Sequence, residues 1–298
     1  MIVEVGGGIR TYAVHGISVI DGYDDVEMCS AGRGQLLAPW PNRLGDGCFE
    51  WEGLRHQTPL SEPESHNAIH GLVRWVAWSV SSIGEAEAQL TYRLHPQPGW
   101  PWTLDLAVSY ALVDRGLEVR TAVANASEPE LASCPFGIGW HPYLAAFGGL
   151  VDDVVLTIPA GEAYRSDERG LPIGKYAVEG TDVDFRTGRP VGGAHLDTAF
   201  TALRPGPDGR TVIELSSVDG NQGAIDGRGV RLWMDSGYTH LMVYSGDTLG
   251  DPRRRRRGLA IEPMTCAPDM LRSGDGRRVL ESGESFEAAW GLEPFSLM

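Results

Sequence analysis

The chain has 298 residues, and 42% of them are hydrophobic, which is enough to build a sizeable core. Its formal net charge of −15 and its sequence pI near 4.9 make nucleic acid and anionic membrane surfaces unexpected partners. The sequence has no apolar run of about 18 residues that would predict a membrane span.

Further features of the sequence bear on location. The first residues, MIVEVGGGIR, lack the basic start and apolar stretch of a signal peptide. The four cysteines have no C-x-x-C pair and no metal-site spacing. We therefore expect reduced thiols in a cytoplasmic protein.

Alternation of apolar and polar residues is the dominant pattern along the chain. Residues 104–112 and 117–123 alternate on either side of Asp114-Arg115-Gly116, which predicts a hairpin of two long antiparallel strands. Further strand candidates are residues 12–20, 74–80, 88–94, 151–158, 211–216, 230–234, 240–245 and 285–291.

The fold class follows from these strands and from what separates them. No amphipathic helix of a dozen residues is evident, and 39 glycines and 19 prolines punctuate the strands. This pattern predicts an all-β sandwich or barrel. No linker is evident, so we expect a single domain over residues 1–298, with the polar, glycine-rich residues 160–194 forming surface loops.

Two segments far apart in sequence each hold a proton-transfer side chain between residues that stiffen the backbone. His141 lies in GIGWHPYL, residues 137–144, and Glu262 lies in LAIEPMTCAPD, residues 259–269. A histidine and a glutamate held in this way suggest a site where one group takes a proton as the other gives one. Tyr143 adds an aromatic face of the kind that lines small-molecule sites. The alternative for each ionisable group is a buried structural role.

Asn42 and Arg43 form a second candidate pair. They follow Pro39 and Pro41, which hold the preceding backbone extended. Asparagine offers donors and an acceptor, and arginine offers a fixed fork of donors. The pair suits sugar hydroxyls or a carboxylate, and a turn asparagine beside a surface arginine is the alternative.

His66 and His70 are four residues apart, a spacing that suits a metal on a helix. Gly71 and the β-rich run after it instead indicate a loop entering a strand, where such residues lie about 13 Å apart. We therefore expect no zinc here. His70 is either a structural histidine at a strand end or a ligand contact.

Two polar features remain. Asp197, in HLDTAF, can accept hydrogen bonds from vicinal hydroxyls, or it is a turn aspartate. The basic run Arg253 to Arg257 is a solvated loop, or an anion clamp near Glu262.

Taken in order, these segments resemble the aldose 1-epimerase (galactose mutarotase) family. The shared order is N-R at 42–43, H-G at 70–71, W-H-P-Y at 140–143, D at 197, and E-P with T-C-x-P at 262–268. The closing ESGESFEAAWGL is similar to the family's last strand, with Ser282 where a proline is usual. The resemblance covers nearly the whole chain.

The resemblance implies a large antiparallel β-sandwich of the galactose mutarotase-like type, with a sugar cleft on a concave sheet. It implies Glu262 as general base, His141 as general acid, and no metal or redox cofactor. It also implies residues that bind the sugar hydroxyls: Asn42, Arg43, His70, Asp197 and Tyr143. The best-known members carry H-S-Y-F, whereas this chain has H-P-Y-L, similar to a divergent branch that includes sulfosugar mutarotases.

The expected partner is therefore a small-molecule sugar, and the expected assembly a monomer or homodimer. The base requires Glu262 ionised, with a pKa near its ordinary value of about 4.3 or slightly higher. The acid requires His141 with a pKa near or above about 6.5.

Three other functions remain open at this point. The first is a non-catalytic carbohydrate-binding sandwich. The second is a glycoside hydrolase that uses Glu262 and Asp197, whose carboxylates would have to lie about 5 to 10 Å apart. The third is an epimerase of phosphosugars or sulfosugars, in which Arg43, Arg74 or the arginine run binds the anion.

Overall fold

The computed structural model describes residues 1–131, 133–218 and 225–297. The helices in these ranges are short, and none is long and apolar enough to span a membrane. They are the 3-10 turns Pro63–Ser65, Val151–Asp153 and Pro252–Arg254, and the α-helix α1, Met270–Ser273.

The described strands follow in chain order. The first half of the chain contains β1 Ala13–Val14, β2 Ile17–Ser18, β3 Leu36–Leu37, β4 Arg43–Gly45, β5 Cys48–Trp51, β6 Leu54–Gln57, β7 Asn67–Ile69, β8 Ser79–Ile83, β9 Glu87–Leu94, β10 Leu104–Val113, β11 Gly116–Asn125, β12 Cys134–Phe136, β13 Gly139–Trp140 and β14 Tyr143–Ala145. The second half contains β15 Val154–Thr157, β16 Ala160–Ser166, β17 Pro172–Ala177, β18 Arg189–Pro190, β19 Asp197–Leu203, β20 Thr211–Val218, β21 Ile225–Met234, β22 His240–Tyr244, β23 Gly258–Met264, β24 Arg278–Leu280 and β25 Ser285–Phe295.

Across the described residues, most strands belong to two large antiparallel sheets. The first has the order β18-β15-β20-β21-β25-β11-β10-β9-β8. The second has the order β17-β16-β19-β22-β23-β13-β3, with β14 also paired to β23. The predicted all-β class with antiparallel sheets is confirmed.

The two sheets enclose an aromatic core that fixes the strand before His141. Trp140, in the second sheet, is fully buried, and its ring lies 5.7 Å from that of Trp290 in the first sheet. Its indole N–H donates to Thr121 Oγ1 at 3.0 Å, so its one polar atom is satisfied. Burial of side chains this large supplies much of the energy that holds the sheets together.

The alternation of side chains along β23 places Glu262 on the face of the second sheet that points away from the core. Successive side chains of a strand point to opposite sides of the sheet, so Ile261 enters the core while Glu262 leaves it. In the register of the second sheet, Met242 lies opposite Glu262 on β22, and Ala199 lies opposite Met242 on β19. These residues form a row across the outer face of that sheet.

The predicted hairpin is confirmed, with Leu112 paired to Leu117 and Leu104 paired to Asn125. The prediction of surface loops for residues 160–194 is wrong, because β16, β17 and β18 lie there. β17 is an edge strand with mostly exposed residues, so it lacks the apolar alternation that marks a buried strand. The strand predicted at residues 74–80 begins only at Ser79.

Candidate functional site

His141 and Glu262 meet in one cleft on the outer face of the second sheet. His141 Nε2 lies 3.3 Å from Glu262 Oε1. His141 is 5% exposed and Glu262 is 2% exposed, so both groups are removed from bulk water. The sequence expectation that these two distant side chains share a cleft agrees with this placement.

The backbone around His141 leaves its ring little freedom. It follows the core strand β13 and precedes Pro142, whose ring restricts the chain. On one side, Gly32 has a φ of +70°, and a Cβ there would lie 2.9 Å from His141 Cδ2. A glycine is therefore required at position 32, both for its conformation and for the space that the imidazole occupies.

Aromatic contacts complete the surroundings of the imidazole. The ring of His141 stacks on Tyr143, with centroids 5.0 Å apart and planes 14° apart. The ring of His70 meets it edge-on at 5.2 Å. The guanidinium of Arg33 lies over the Tyr143 ring at 4.1 Å and pairs with Asp21 at 3.2 Å. The catalytic candidate thus belongs to a packed stack rather than to a mobile loop.

His70 and Asn42 hold each other in uncommon backbone conformations. Both residues have positive φ, 64° for His70 and 55° for Asn42. The His70 N–H donates to the Asn42 carbonyl at 2.8 Å, and the Asn42 N–H donates to His70 Nδ1 at 3.2 Å. Because Nδ1 accepts, Nε2 is the donor of a neutral His70 ring. Burial lowers the pKa of His70 well below its ordinary value, and the charge of Arg74 adds to this effect.

Arg43 lies at the cleft with its guanidinium already engaged. Its Nε and one Nη donate to the two carboxylate oxygens of Glu62, at 2.9 and 3.1 Å. This bidentate geometry is the strong form of an arginine–carboxylate pair. It fixes the position of Arg43, and it also means that the arginine is not a free anion receptor.

The cleft has a volume of about 330 Å³, which lies near the lower end of the range for small-molecule pockets. All the sequence-predicted site residues line it: Asn42, Arg43, His70, His141, Tyr143, Asp197 and Glu262. Asp197 is the most exposed of them and lies at the rim. A larger depression of about 710 Å³ lies elsewhere, near Asp21 and Arg254, and contains none of these predicted residues.

The pKa values of the central pair differ from the sequence expectation. Burial, together with the positive charges of Arg74 and Arg33, lowers the pKa of His141 to about 3. Burial also raises the pKa of Glu262 well above its ordinary value, with a further rise from Asp197. The expected pKa values lay near the ordinary ones, whereas burial disfavours the charged form of each group.

Two atoms of the pair retain unused hydrogen-bonding capacity. Among the described residues, neither His141 Nδ1 nor Glu262 Oε2 has a hydrogen-bond partner, although both are buried. Buried polar atoms are normally paired, and an unpaired one costs about 1–3 kcal/mol. Unpaired atoms at the bottom of a cleft are therefore consistent with a polar ligand.

Sequence reasoning missed Arg33, Asp21 and Tyr244. Arg33 is 1% exposed, yet only its flanking glycines distinguish it from a surface arginine in the sequence. Tyr244 lines the cleft and bonds Thr248, which also lines it. The alternation of residues up to Tyr244 predicts the strand β22, but it does not show that the outer face of this strand carries a site.

Arg255 and Arg256, in the basic run Arg253 to Arg257, make contacts that hold the loop next to the cleft. Arg256 pairs with Asp152 at 2.8 Å and with Asp247 at 2.7 Å, and Arg255 donates to the Leu249 carbonyl at 2.8 Å. None of the five arginines, all of which the structure describes, lines the cleft. The run therefore does not form a clamp inside this cleft, and Arg255 and Arg256 instead hold a loop whose residues 248–250 form part of the cleft wall.

His66 and His70 do not form a metal site in the described part of the chain. His66 is exposed at the C-terminal end of a 3-10 turn, and His70 is buried in the cleft. Within the described ranges, no group of three or more histidine, cysteine or acidic side chains is placed to hold a metal ion.

Comparison with known proteins gives consistent matches. The family model for aldose 1-epimerase matches residues 1–292. The uncharacterized protein YihR of Escherichia coli K12 is 32% identical over 285 residues, which cover 95% of this chain and 86% of YihR.

Solved structures show the same fold at lower identity. A putative aldose 1-epimerase from Escherichia coli K12 has a TM-score of 0.80 at 19% identity, covering 98% of this chain and 94% of its own. The galactose 1-epimerase of Lactobacillus acidophilus NCFM has a TM-score of 0.78 at 20% identity, covering 98% and 90%.

Proposed function

The chain belongs to the aldose 1-epimerase family, and from that premise we propose that it interconverts the α and β anomers of a hexose by opening and reclosing the pyranose ring. The observation that carries this proposal is the 3.3 Å contact between His141 Nε2 and Glu262 Oε1 inside a cleft of sugar size. A binding module needs hydrogen-bonding groups but no buried acid–base pair.

Ring opening requires two proton movements in opposite directions. Glu262 takes the proton of the anomeric hydroxyl on C1, and His141 gives a proton to the ring oxygen O5 as the C1–O5 bond breaks. The open aldehyde then rotates about C1–C2. Reclosure on the other face reverses both transfers, so the pair ends with the same proton count.

The directions of the two pKa shifts indicate the protonation state in which His141 and Glu262 begin the reaction. Because burial favours the neutral form of each group, the starting pair in this proposal holds one proton on Glu262 beside a neutral His141, wherever the pH lies below the raised pKa of that carboxyl. The 3.3 Å contact lets that proton move to His141 once sugar hydroxyls stabilise the carboxylate. The bound sugar thus converts a neutral pair into the ionised pair that the reaction uses.

The remaining cleft residues orient the ring. His70 offers its Nε2–H, Asn42 its side-chain amide, and Asp197 two acceptor oxygens at the rim. The Tyr143 ring and Leu249 form an apolar surface beside these groups. Such contacts hold the pyranose in one orientation beside His141 and Glu262. The reacting groups are then already positioned when ring opening begins.

The decisive experiment is two-dimensional exchange NMR on a panel of aldoses, including glucose and galactose. We expect cross-peaks between α and β anomers to grow faster with the protein than in buffer, for at least one hexose. The technique reports anomer exchange directly. Binding without any acceleration across the panel would contradict the proposal and leave a carbohydrate-binding module.

A second candidate concerns the charge of the sugar, and Arg74 favours it. Arg74 lines the cleft near His70 and His141. Its Nη2 donates to the Ile69 carbonyl at 3.3 Å, and its Nε is buried with no hydrogen-bond partner in the described part of the chain. Unlike Arg43, this guanidinium has donor capacity left over. A sulfonate or phosphate on the sugar is a suitable acceptor.

We expect Arg74→Gln to lower kcat/KM for an anionic hexose about 10- to 100-fold more than for a neutral one, because a charge-assisted hydrogen bond contributes about 1.5–3 kcal/mol. Exchange NMR on glucose, glucose 6-phosphate and sulfoquinovose measures this ratio. Arg115→Gln, in the exposed turn between β10 and β11, is the matched control. An equal effect on all three sugars would exclude anion recognition by Arg74.

A further inference from the structure

Arg33 is buried beside the acid–base pair without lining the cleft. Its guanidinium lies 4.1 Å over the Tyr143 ring, which stacks in turn on His141. Its ion-pair partner in the described part of the chain is Asp21, and its Nε and Nη1 are buried there with no hydrogen-bond partner. A buried ion pair of this kind adds little to stability, because apolar side chains of similar volume often replace it without loss. The arrangement therefore indicates a role beyond stability.

The turn that carries Arg33 is bonded to both backbone groups of His141. The Gly34 N–H donates to the His141 carbonyl at 2.9 Å, and the His141 N–H donates to the Gln35 carbonyl at 3.2 Å. Gly32 and Gly34 flank the arginine with φ of +70° and +65°, a conformation that favours glycine. The course of this turn is thus fixed, so the arginine side chain starts from a fixed position relative to the imidazole.

Asp21 holds Tyr143 both through its backbone and through its ring. The Asp21 N–H donates to the Tyr143 carbonyl at 2.9 Å, and the Asp21 carboxylate accepts from Arg33 Nη2 at 3.2 Å. Asp21 also packs against β23, where a Cβ at Gly258 would lie 2.7 Å from Asp21 Cβ. The strand that carries the base and the stack that carries the acid therefore meet at this aspartate.

The His141 ring is surrounded by ionisable groups from four parts of the fold. They are Glu262 on β23, Tyr143 on β14, Arg33 in its turn, and His70 and Arg74 in the segment after β7. The two arginines lower the pKa of His141, Arg74 more than Arg33. Arg74 lines the cleft and Arg33 does not, so the charge of Arg33 acts on the imidazole without touching a ligand. An imidazolium whose pKa is lowered gives its proton away more readily.

We propose that Asp21 and Arg33 are positioning residues for the acid of the pair. Their ion pair clamps the Tyr143 ring against His141 and keeps a fixed positive charge near the imidazole. The shared proton then passes to O5 or back to Glu262 instead of remaining on His141. This inference rests on the proposed function, because it takes the imidazole as the acid that protonates O5.

The first test removes the charge of Arg33 and keeps the length of its side chain. We expect Arg33→Met to lower kcat about tenfold, because a weaker and less firmly held acid protonates O5 more slowly. KM should change less than about threefold, because Arg33 does not line the cleft. Exchange NMR over a range of sugar concentrations separates the two constants. Wild-type kcat in a folded Arg33→Met protein would overturn the proposal.

Arg278→Met is the matched control for this test. Arg278 also stacks on an aromatic ring, that of Phe286 at 4.1 Å, and its Nε is buried without a hydrogen-bond partner among the described residues. It is absent from the lining of the cleft, so its loss should leave kcat and KM unaltered. Urea titration of each variant checks folding. Should Arg33→Met not fold, Arg33→Gln takes its place, since it removes the same charge and keeps a polar side chain.

The second test uses the pH profile, which a purely structural role would not move. Loss of a neighbouring positive charge raises the pKa of His141, so the decline of kcat/KM on acidification should begin at least about half a pH unit higher in Arg33→Met than in the wild type. Arg33→Lys keeps the charge and loses the planar stack, so it should lower kcat without moving the decline. Declines that coincide in Arg33→Met and the wild type would overturn the proposal, and so would an equal shift in Arg33→Lys.

NMR titration of the His141 imidazole gives a readout that does not depend on turnover. We expect the imidazole to gain its proton at higher pH in Arg33→Met than in the wild type. No such rise is expected in Asp21→Asn, which leaves the arginine charge in place without its partner. If a hexose is accelerated but the imidazole titrates alike in the wild type and Arg33→Met, this inference fails while the proposed function stands. If no sugar is accelerated, the proposed function fails, and the titration still decides whether Arg33 controls the charge of His141.

Discussion

Glu262→Gln is expected to reduce catalysed anomer exchange by about 10²- to 10⁴-fold, the contribution typical of one positioned acid–base group. Glutamine keeps the size of the side chain and a carbonyl oxygen near His141, but it cannot take the C1 hydroxyl proton. Exchange NMR on the best sugar of the panel, corrected for the rate in buffer, measures the loss. Glu50→Gln, at an exposed position on β5, is the matched control.

The free energy of unfolding of the Glu262→Gln variant should also depend on pH differently from that of the wild type. This difference distinguishes a loss of catalysis from misfolding. In the folded protein the pKa of Glu262 is raised, whereas in the unfolded chain it ionises near its ordinary value of about 4.3. The contribution of Glu262 to the free energy of unfolding of the wild type therefore falls as pH rises from about 4.3 toward that raised pKa. Glutamine removes this term, so the variant should gain stability relative to the wild type with rising pH in urea titrations. A folded variant with full activity would refute the role of Glu262 as base.

The fold was predictable because the central strands are marked by their own side chains. β10 and β11 alternate cleanly, since one face of each lies in the core and the other is more exposed. β17 lacks this signal because it is an edge strand with mostly exposed residues. Sequence reasoning also missed strands that are wholly buried, such as β13 and β14, because two or three residues are too few to show an alternation.

The candidate site was predictable where stiff backbone surrounds a reactive group, as at His141 and Glu262. Their electrostatic state was not predictable, because it depends on how deeply the fold buries them and on two arginines from another part of the chain. Arg33 acts through a stack on Tyr143, and no local sequence pattern reports a contact over 110 residues of chain. The ion pair between Arg43 and Glu62 was not predictable for the same reason, because no local sequence pattern links the two residues.

The structure also shows why the site is costly to maintain. It buries two ionisable groups with unpaired atoms and two non-glycine residues at positive φ, Asn42 and His70. Each such feature opposes folding, by about 1–3 kcal/mol for an unpaired polar atom or a strained residue. The aromatic core beneath, with Trp140 between the sheets, offsets this cost.

His141→Gln is expected to reduce anomer exchange by a factor similar to that of Glu262→Gln, because O5 then lacks its proton donor. His95→Gln, at an exposed position, is the matched control. Full activity in a folded His141→Gln protein would contradict the assignment.

The pH profile tests the same residue in the wild type. The reaction requires the pair to hold one proton, so the rate should fall where the pair gains a second. Because the pKa of His141 is lowered to about 3, kcat/KM should show no decline as pH falls from about 6.5 to 4 and should decline only below that range. A decline centred near 6.5 would show that His141 titrates as a solvated imidazole.

Non-additivity is the sharpest consequence of the 3.3 Å contact. If His141 and Glu262 pass protons through one bound sugar, removing either group interrupts the same cycle. The double variant His141→Gln with Glu262→Gln should then lose about as much activity as either single variant, as found for groups that act as a unit. Two independent groups would instead give a loss close to the product of the single effects, and exchange NMR on the three variants distinguishes these outcomes.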